Sequence, residues 1–233
     1  MCVIIVCRER GVTKDELQQA FKANDDGGGI AWTEEGEVCY RKGFMKAEHM
    51  SSCYFDEHIN DKLPHVLHFR RATSKVTQKL THPYIISEKS PLKLTYRGKE
   101  SLLFHNGVMS DWKKKMFDFY LHNAKKIPDG DWSDSRFIVI LVHFLGDNIL
   151  PILSDKYVVF STNNIDLYGS FIEDNGIVAT NSSYKSGKTV YTQSQLRTGI
   201  GRSPMSVLDD DIDDIDDITD DDLTKDDLKT LGF

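Results

Sequence analysis

The chain has 233 residues, 39% hydrophobic and 10% aromatic, enough for one large domain or two small ones with an ordinary apolar core. No run of about 18 apolar residues is present, so no membrane-crossing helix is expected, and the opening residues lack the basic start of a signal peptide, which gives a cytoplasmic expectation. The net charge of -7 is uneven: residues 206–233 hold twelve aspartates against two lysines, a net of -10, which leaves a diffuse +3 on residues 1–205 that does not make a nucleic-acid surface.

Met1-Cys2-Val3-Ile4-Ile5-Val6-Cys7 contains four consecutive β-branched residues and predicts a buried strand. Removal of Met1 would leave a thiol and a free α-amine on one residue, Cys2. With reference pKa values of about 8.5 and about 7.7–8.0, that amine can take the thiol proton near neutral pH. The competing reading of Cys2 is a small buried hydrophobe. The four cysteines, Cys2, Cys7, Cys39 and Cys53, form no CxxC pair and have no histidine at finger spacing, so neither a zinc site nor a disulfide scaffold is expected.

Thr13 followed by Glu16 is a capping box, and Leu17, Ala20 and Phe21 mark the inner face of a helix ending near Asn24. Three consecutive glycines, Gly27, Gly28 and Gly29, imply a close backbone approach or a positive φ. They do not make a phosphate loop, because no Gly-Lys-Ser/Thr follows and the helix precedes them. Residues 37–41 predict a strand, 45–58 a helix, and 65–74 a strand whose end carries a cluster of polar groups. Residues 81–84 read as a turn. Residues 92–96 and 101–105 predict a hairpin joined by Arg97-Gly98-Lys99-Glu100. Residues 109–121 predict a helix, Ser133 to Arg136 the cap of an apolar helix over 137–145, and residues 157–161 and 177–179 two strands. The order does not alternate as a doubly wound sheet would, so layers with helices outside are expected.

Asp209 to Ile218 repeats isoleucine every third residue in an aspartate run, and Leu223 and Leu228 extend the series. Self-repulsion and sparse apolar groups predict a disordered acidic tail over 206–233, either solubilising or laying its isoleucines on a partner. The run lacks the glycine and terminal glutamate of a calcium loop.

Cys2, Asp26-Gly27-Gly28-Gly29-Ile30-Ala31-Trp32, His68-Phe69-Arg70-Arg71-Ala72-Thr73, Thr81-His82-Pro83, His105-Asn106-Gly107 and Ser133-Asp134-Ser135 stand in the order and spacing of class II glutamine amidotransferase domains. Over residues 2–180 the chain resembles the stand-alone type of that family, within the N-terminal nucleophile hydrolases. The resemblance implies an α+β fold, a four-layer αββα sandwich, with a domain over 2–205. It implies Cys2 as nucleophile and its α-amine as base. Asn106 and the Gly107 amide would form the oxyanion hole, Arg70 would hold the substrate carboxylate and Asp134 its ammonium. Thr73, Gly28 and His82 would border the substrate. His82 and His105 read as supporting hydrogen-bond groups rather than a catalytic dyad. Each residue also has a plainer reading: a surface charge for Arg70, a helix cap for Asp134, a turn for Asn106-Gly107.

Arg71, Ser74-Lys75, Val3 and Arg136 depart from patterns common in synthase-linked members. No cofactor or metal is expected. The leading expectation is hydrolysis of glutamine through a Cys2 thioester. Ammonia would pass to an acceptor, which requires a separate synthase partner, with the tail as its candidate docking segment, because no synthase domain is evident. The alternatives are a γ-glutamyl peptide hydrolase and a catalytically weak interaction protein acting through its acidic tail.

Overall fold

The computed structural model describes residues 2–73 and 75–185. The acidic segment 206–233 and most of the Ser/Thr/Gly-rich stretch before it lie outside the described residues. The fold is mixed α and β with antiparallel sheets. A seven-stranded sheet is built from β1 (Val3–Cys7), β2 (Gly28–Glu34), β3 (Glu37–Phe44), β4 (His65–Phe69), β6 (Thr95–Gly98), β10 (Ile172–Asp174) and β11 (Ile177–Ala179), in the order β10-β11-β1-β4-β2-β3-β6. A four-stranded sheet has the order β5-β7-β8-β9, from β5 (Tyr84–Ile85), β7 (Leu102–Asn106), β8 (Lys156–Phe160) and β9 (Ile165–Tyr168).

Strand β1 is buried at every residue because its two faces enter different cores. Val3, Ile5 and Cys7 pack with Leu17, Ala20 and Phe21 of α1 (Lys14–Ala23) and with Met50, Cys53 and Tyr54 of α2 (Ala47–Asp56). Ile4 and Val6 face the other way, joining Val66 and Tyr40 against Leu102, Phe104, Val158 and Phe160 of the smaller sheet. Full burial of each such side chain stabilises by about 1.5–3 kcal/mol, enough to hold a chain end that would otherwise fray. A third core joins Leu103, Tyr157 and Val159 to Met116 and Tyr120 of α3 (Trp112–His122) and the apolar run of α4 (Asp134–Leu145).

The capping box at Thr13 is present in full, and Ser133 caps α4 by accepting from the Arg136 amide at 3.2 Å. The expected hairpin over 92–105 is absent: β6 pairs with β3 in the larger sheet, while β7 pairs with β5 and β8 in the smaller one. The reason is burial. Every residue of β7 is buried and needs partners on both edges, whereas β6 is a half-exposed edge strand. The residues expected to form its turn carry the chain between sheets, and the Glu100 amide donates to the Tyr96 hydroxyl at 3.1 Å. Strands β9 and β10 and the short helix α5 (Leu150–Leu153) have no counterpart in the sequence reading. All four cysteines are free.

Arg136, the departure two residues after Asp134, is not among the residues that line the cavity bordered by Asp134. It is 2% exposed and donates to the carbonyls of Ser90, Asp131, Lys89 and Asp129 at 3.2, 2.8, 3.1 and 2.9 Å, with its guanidinium 4.4 Å from the centre of Trp132. It ties two loops to the start of α4. Arg136→Met should cost about 3–4 kcal/mol, since it strips donors from buried carbonyls. That is about 10 °C in thermal midpoint. Arg136→Lys should recover only part, because an ammonium does not span a planar fork. Thermal unfolding measures both, and a loss below about 1 kcal/mol for the methionine variant contradicts the assignment.

Candidate active site

Cys2 immediately precedes β1, and its surroundings come from the strands on either side. Its carbonyl accepts from Asn181 Nδ2 at 2.7 Å, and Ile4 and Thr180 exchange hydrogen bonds just beyond β11. On the other edge, the pairing of Val3 with Phe69 brings the chain leaving β4 beside the cysteine. The Arg71 amide donates to Cys2 Sγ at 3.2 Å, and Sγ lies 3.4 Å from the Arg71 carbonyl oxygen.

The glycine-rich loop braces that exit. Arg70 N donates to Gly27 O at 2.7 Å, Asp26 N to Arg70 O at 3.1 Å, and Ala72 N to Asp26 Oδ2 at 2.8 Å. Gly27 has φ +116°, and a Cβ on Gly29 would stand 2.0 Å from the His82 carbonyl oxygen. These are the positive φ and the close approach expected of the run. Gly28 serves packing: a Cβ there would meet Met50 Sδ at 2.7 Å, and the residue does not line the cavity at Cys2.

That cavity, about 30 Å³, is lined by Cys2, Arg70, Thr73, His82, Gly107 and Asp134, with Arg71, Ala72, Leu80, His105, Ser133 and Ser135 completing it. Six of the eight expected site residues therefore converge, while Gly28 and Asn106 stand outside the lining. Two larger grooves, of about 410 and 380 Å³, lie elsewhere and touch none of Cys2, Arg70 and Asp134.

The cavity's polar groups have unused capacity. Arg70 is 6% exposed, its Nη2 donates to Lys75 O at 3.1 Å, and its Nη1 is buried without a partner. Both ring nitrogens of His82 are likewise buried and unpartnered. Burial holds the His82 imidazole well below its usual pKa, helped by neighbouring cationic and imidazole groups, so the ring is neutral and offers one donor and one acceptor. Its neighbour His68, with ring centres 4.1 Å apart, is pushed down to about 3 by burial. Asp134, the first residue of α4, accepts from Met109 N at 3.1 Å and Ser135 N at 2.7 Å.

Burial raises the Cys2 thiol above its ordinary value, against the opposing effects of the Arg71 amide and the Arg70 charge. The thiol is thus a protonated group that needs a base. With Met1 attached the Cys2 nitrogen is a peptide amide and supplies none.

Asn106 is 3% exposed, with Nδ2 2.8 Å from Thr180 Oγ1 and Oδ1 buried without a partner. Thr180 Oγ1 already accepts from Ile4 N at 3.0 Å, so its own proton is available to give. Turning the Asn106 amide over lets Oδ1 take that proton and frees Nδ2 as a donor, an exchange that heavy-atom positions do not distinguish.

Two groups, one buried and one half-buried, escaped the sequence reading. Lys42 donates to the Pro83 carbonyl at 3.0 Å and lies 4.2 Å over the Tyr84 ring, and burial brings its ammonium down to about 7. Its inward position was legible, since Val38, Tyr40 and Lys42 share one face of a period-two strand. Asp155 places Oδ2 3.1 Å from His105 Nε2, and a Cβ on Gly107 would stand 2.1–2.4 Å from its carboxyl group. No local signal marks it, because its place depends on the pairing of β7 with β8. Among the described residues no group of three or more His, Cys, Asp or Glu side chains could hold a metal ion, and no helix is long and apolar enough to cross a membrane.

No protein-family model matches the chain, and no curated protein does. Among solved structures, it is similar to glutamine phosphoribosylpyrophosphate (PRPP) amidotransferase from B. subtilis complexed with ADP and GMP, with a TM-score of 0.49 and 15% identity, covering 77% of this chain and 41% of that one. The chain thus spans less than half the length of that protein. Reaction and substrate rest on the chemistry of the site itself.

Proposed function

We propose that the protein hydrolyses the side-chain amide of glutamine, or of a γ-glutamyl compound, through a thioester on Cys2. The observation that carries this is one cavity lined at once by the Cys2 thiol, a buried arginine with an unpartnered nitrogen, and the Asp134 carboxylate. A free α-amino acid with a neutral amide at its far end offers a complement to each.

After loss of Met1, the Cys2 α-amine takes the thiol proton and sulfur attacks the amide carbon. The oxyanion is met by the Gly107 amide and by Asn106 Nδ2 in its turned-over orientation, each such donor being worth about 3–4 kcal/mol at the transition state. The ammonium so formed returns its proton to the leaving nitrogen and ammonia departs; water then attacks the thioester with the amine again as base, the C–S bond breaks, and the proton returns to sulfur as the acid leaves. The cavity of about 30 Å³ holds little more than one water, so the substrate lies largely in the open mouth above it. In this reading the three cores are the interfaces of a four-layer αββα sandwich of the N-terminal nucleophile hydrolase type.

The test is mass spectrometry of protein verified to lack Met1, after incubation with a glutamine-mimicking electrophile, alongside assays of ammonia and glutamate release. A single adduct on Cys2 and equimolar products are expected. An unlabelled Cys2 together with absent turnover on glutamine and on γ-glutamyl amides sinks the proposal.

A further inference from the structure

We propose that Ser135 is a second acceptor for the substrate's α-ammonium, set in that role by His105 and Asp155. The inference rests on the functional reading above and extends it to a residue with no role there.

The geometry is a three-residue chain ending in the cavity. Asp155 Oδ2 lies 3.1 Å from His105 Nε2, His105 Nδ1 lies 3.0 Å from Ser135 Oγ, and Ser135 lines the cavity beside Asp134. His105 is 2% and Ser135 5% exposed, and the imidazole is stacked on Tyr157 with ring centres 4.9 Å apart and 13° between planes. The ring is therefore fixed in orientation, and its two nitrogens have one partner each.

Proton positions follow from the inventory of donors. A carboxyl oxygen facing Nε2 favours the tautomer with its hydrogen on Nε2, and in that tautomer Nδ1 is an acceptor. The Ser135 hydroxyl can then give its one hydrogen to Nδ1. Without substrate the hydroxyl also lies within donating reach of Asp134 Oδ1, at 3.3 Å. An ammonium placed between the two oxygens supplies donors to both, and the hydroxyl hydrogen then goes to His105 Nδ1. Asp134 already spends acceptor capacity on Met109 N and Ser135 N, so a second oxygen has a definite use.

The experiment compares glutamine with its des-amino analogue, the half-amide of glutaric acid, on full-length protein lacking Met1. Ser135→Ala should raise KM for glutamine about tenfold, the loss of one hydrogen bond to a charged group, while leaving the analogue's KM within about twofold. Ser135→Thr should restore most of the difference. Nitrogen-15 spectra of His105 should show the Nε2-protonated tautomer. An equal loss on both substrates, no loss on either, or the Nδ1-protonated tautomer overturns the proposal.

Binding of glutamate and glutarate, read by calorimetry, separates this inference from the parent reading. Preference for glutamate that narrows in Ser135→Ala, with no hydrolysis of any amide, sinks the hydrolase and keeps the cradle. Hydrolysis without discrimination for the amino group does the reverse. Binding of neither ligand with no hydrolysis overturns both.

Discussion

Cys2→Ala, or retention of Met1 on an otherwise unchanged chain, should reduce amide hydrolysis by about 10⁴-fold or more, the scale seen when a nucleophile or its base is removed. The two changes act through different atoms. Alanine deletes the sulfur and leaves the backbone anchors, including the Cys2 carbonyl held by Asn181 at 2.7 Å. A retained methionine keeps the sulfur but turns the base into an amide nitrogen with no basic lone pair. Because burial raises the thiol, no reserve of thiolate compensates for the missing base. Steady-state ammonia release on samples of verified N-terminus measures both.

The same argument fixes a pH profile. With the thiol protonated through neutrality, the active form needs the α-amine unprotonated, so kcat/KM should rise with pH through about 7.7–8.0 and fall tenfold per unit below it. A profile flat from pH 6 to 9 indicates a preformed thiolate and contradicts the raised thiol.

The second large effect is expected at Arg70. Removal of a charge-assisted, two-pronged hold on a carboxylate should raise KM about 10²-fold, about 3 kcal/mol. Arg70→Lys should lose nearly as much, because a single ammonium does not serve Lys75 O and a substrate carboxylate with the geometry of a fork. Stability should move the other way. A buried guanidinium nitrogen without a partner is a cost to the unliganded fold, so Arg70→Met should unfold no earlier than wild type and gain up to about 1–2 kcal/mol. Higher KM with an unchanged or raised thermal midpoint separates a binding residue from a structural one. Higher KM with a lowered thermal midpoint assigns Arg70 to the fold.

What was legible in the sequence was local or periodic. The capping box at Thr13, the Ser133 cap and the fully apolar β1 rest on contacts within a few residues or on one strand's own pattern. The misread hairpin over 92–105 failed for the opposite reason: which sheet a strand joins is set by partners far along the chain, and a short polar connector looks the same either way. Strands β9 and β10 carry too few buried residues to be seen. Around the cavity, the expected residues that reach Cys2 through one strand pairing, among them Arg70 and Thr73, stand in its lining. Asp155 reaches the site only through a second pairing and was not among those expected. Asn106 and Gly28 stand outside the cavity lining, with Thr180 and Met50 as neighbours, and the role proposed for Asn106 requires its amide turned over.

The anchoring of Cys2 also makes its setting late to complete during synthesis. Strand β1 takes Phe69 on one side and Ala179 and Asn181 on the other. At about 5–20 residues per second the latter emerge roughly ten to forty seconds after Cys2. For that interval one edge of β1 lacks its partner, and the Cys2 carbonyl stays unheld until Asn181 has been made.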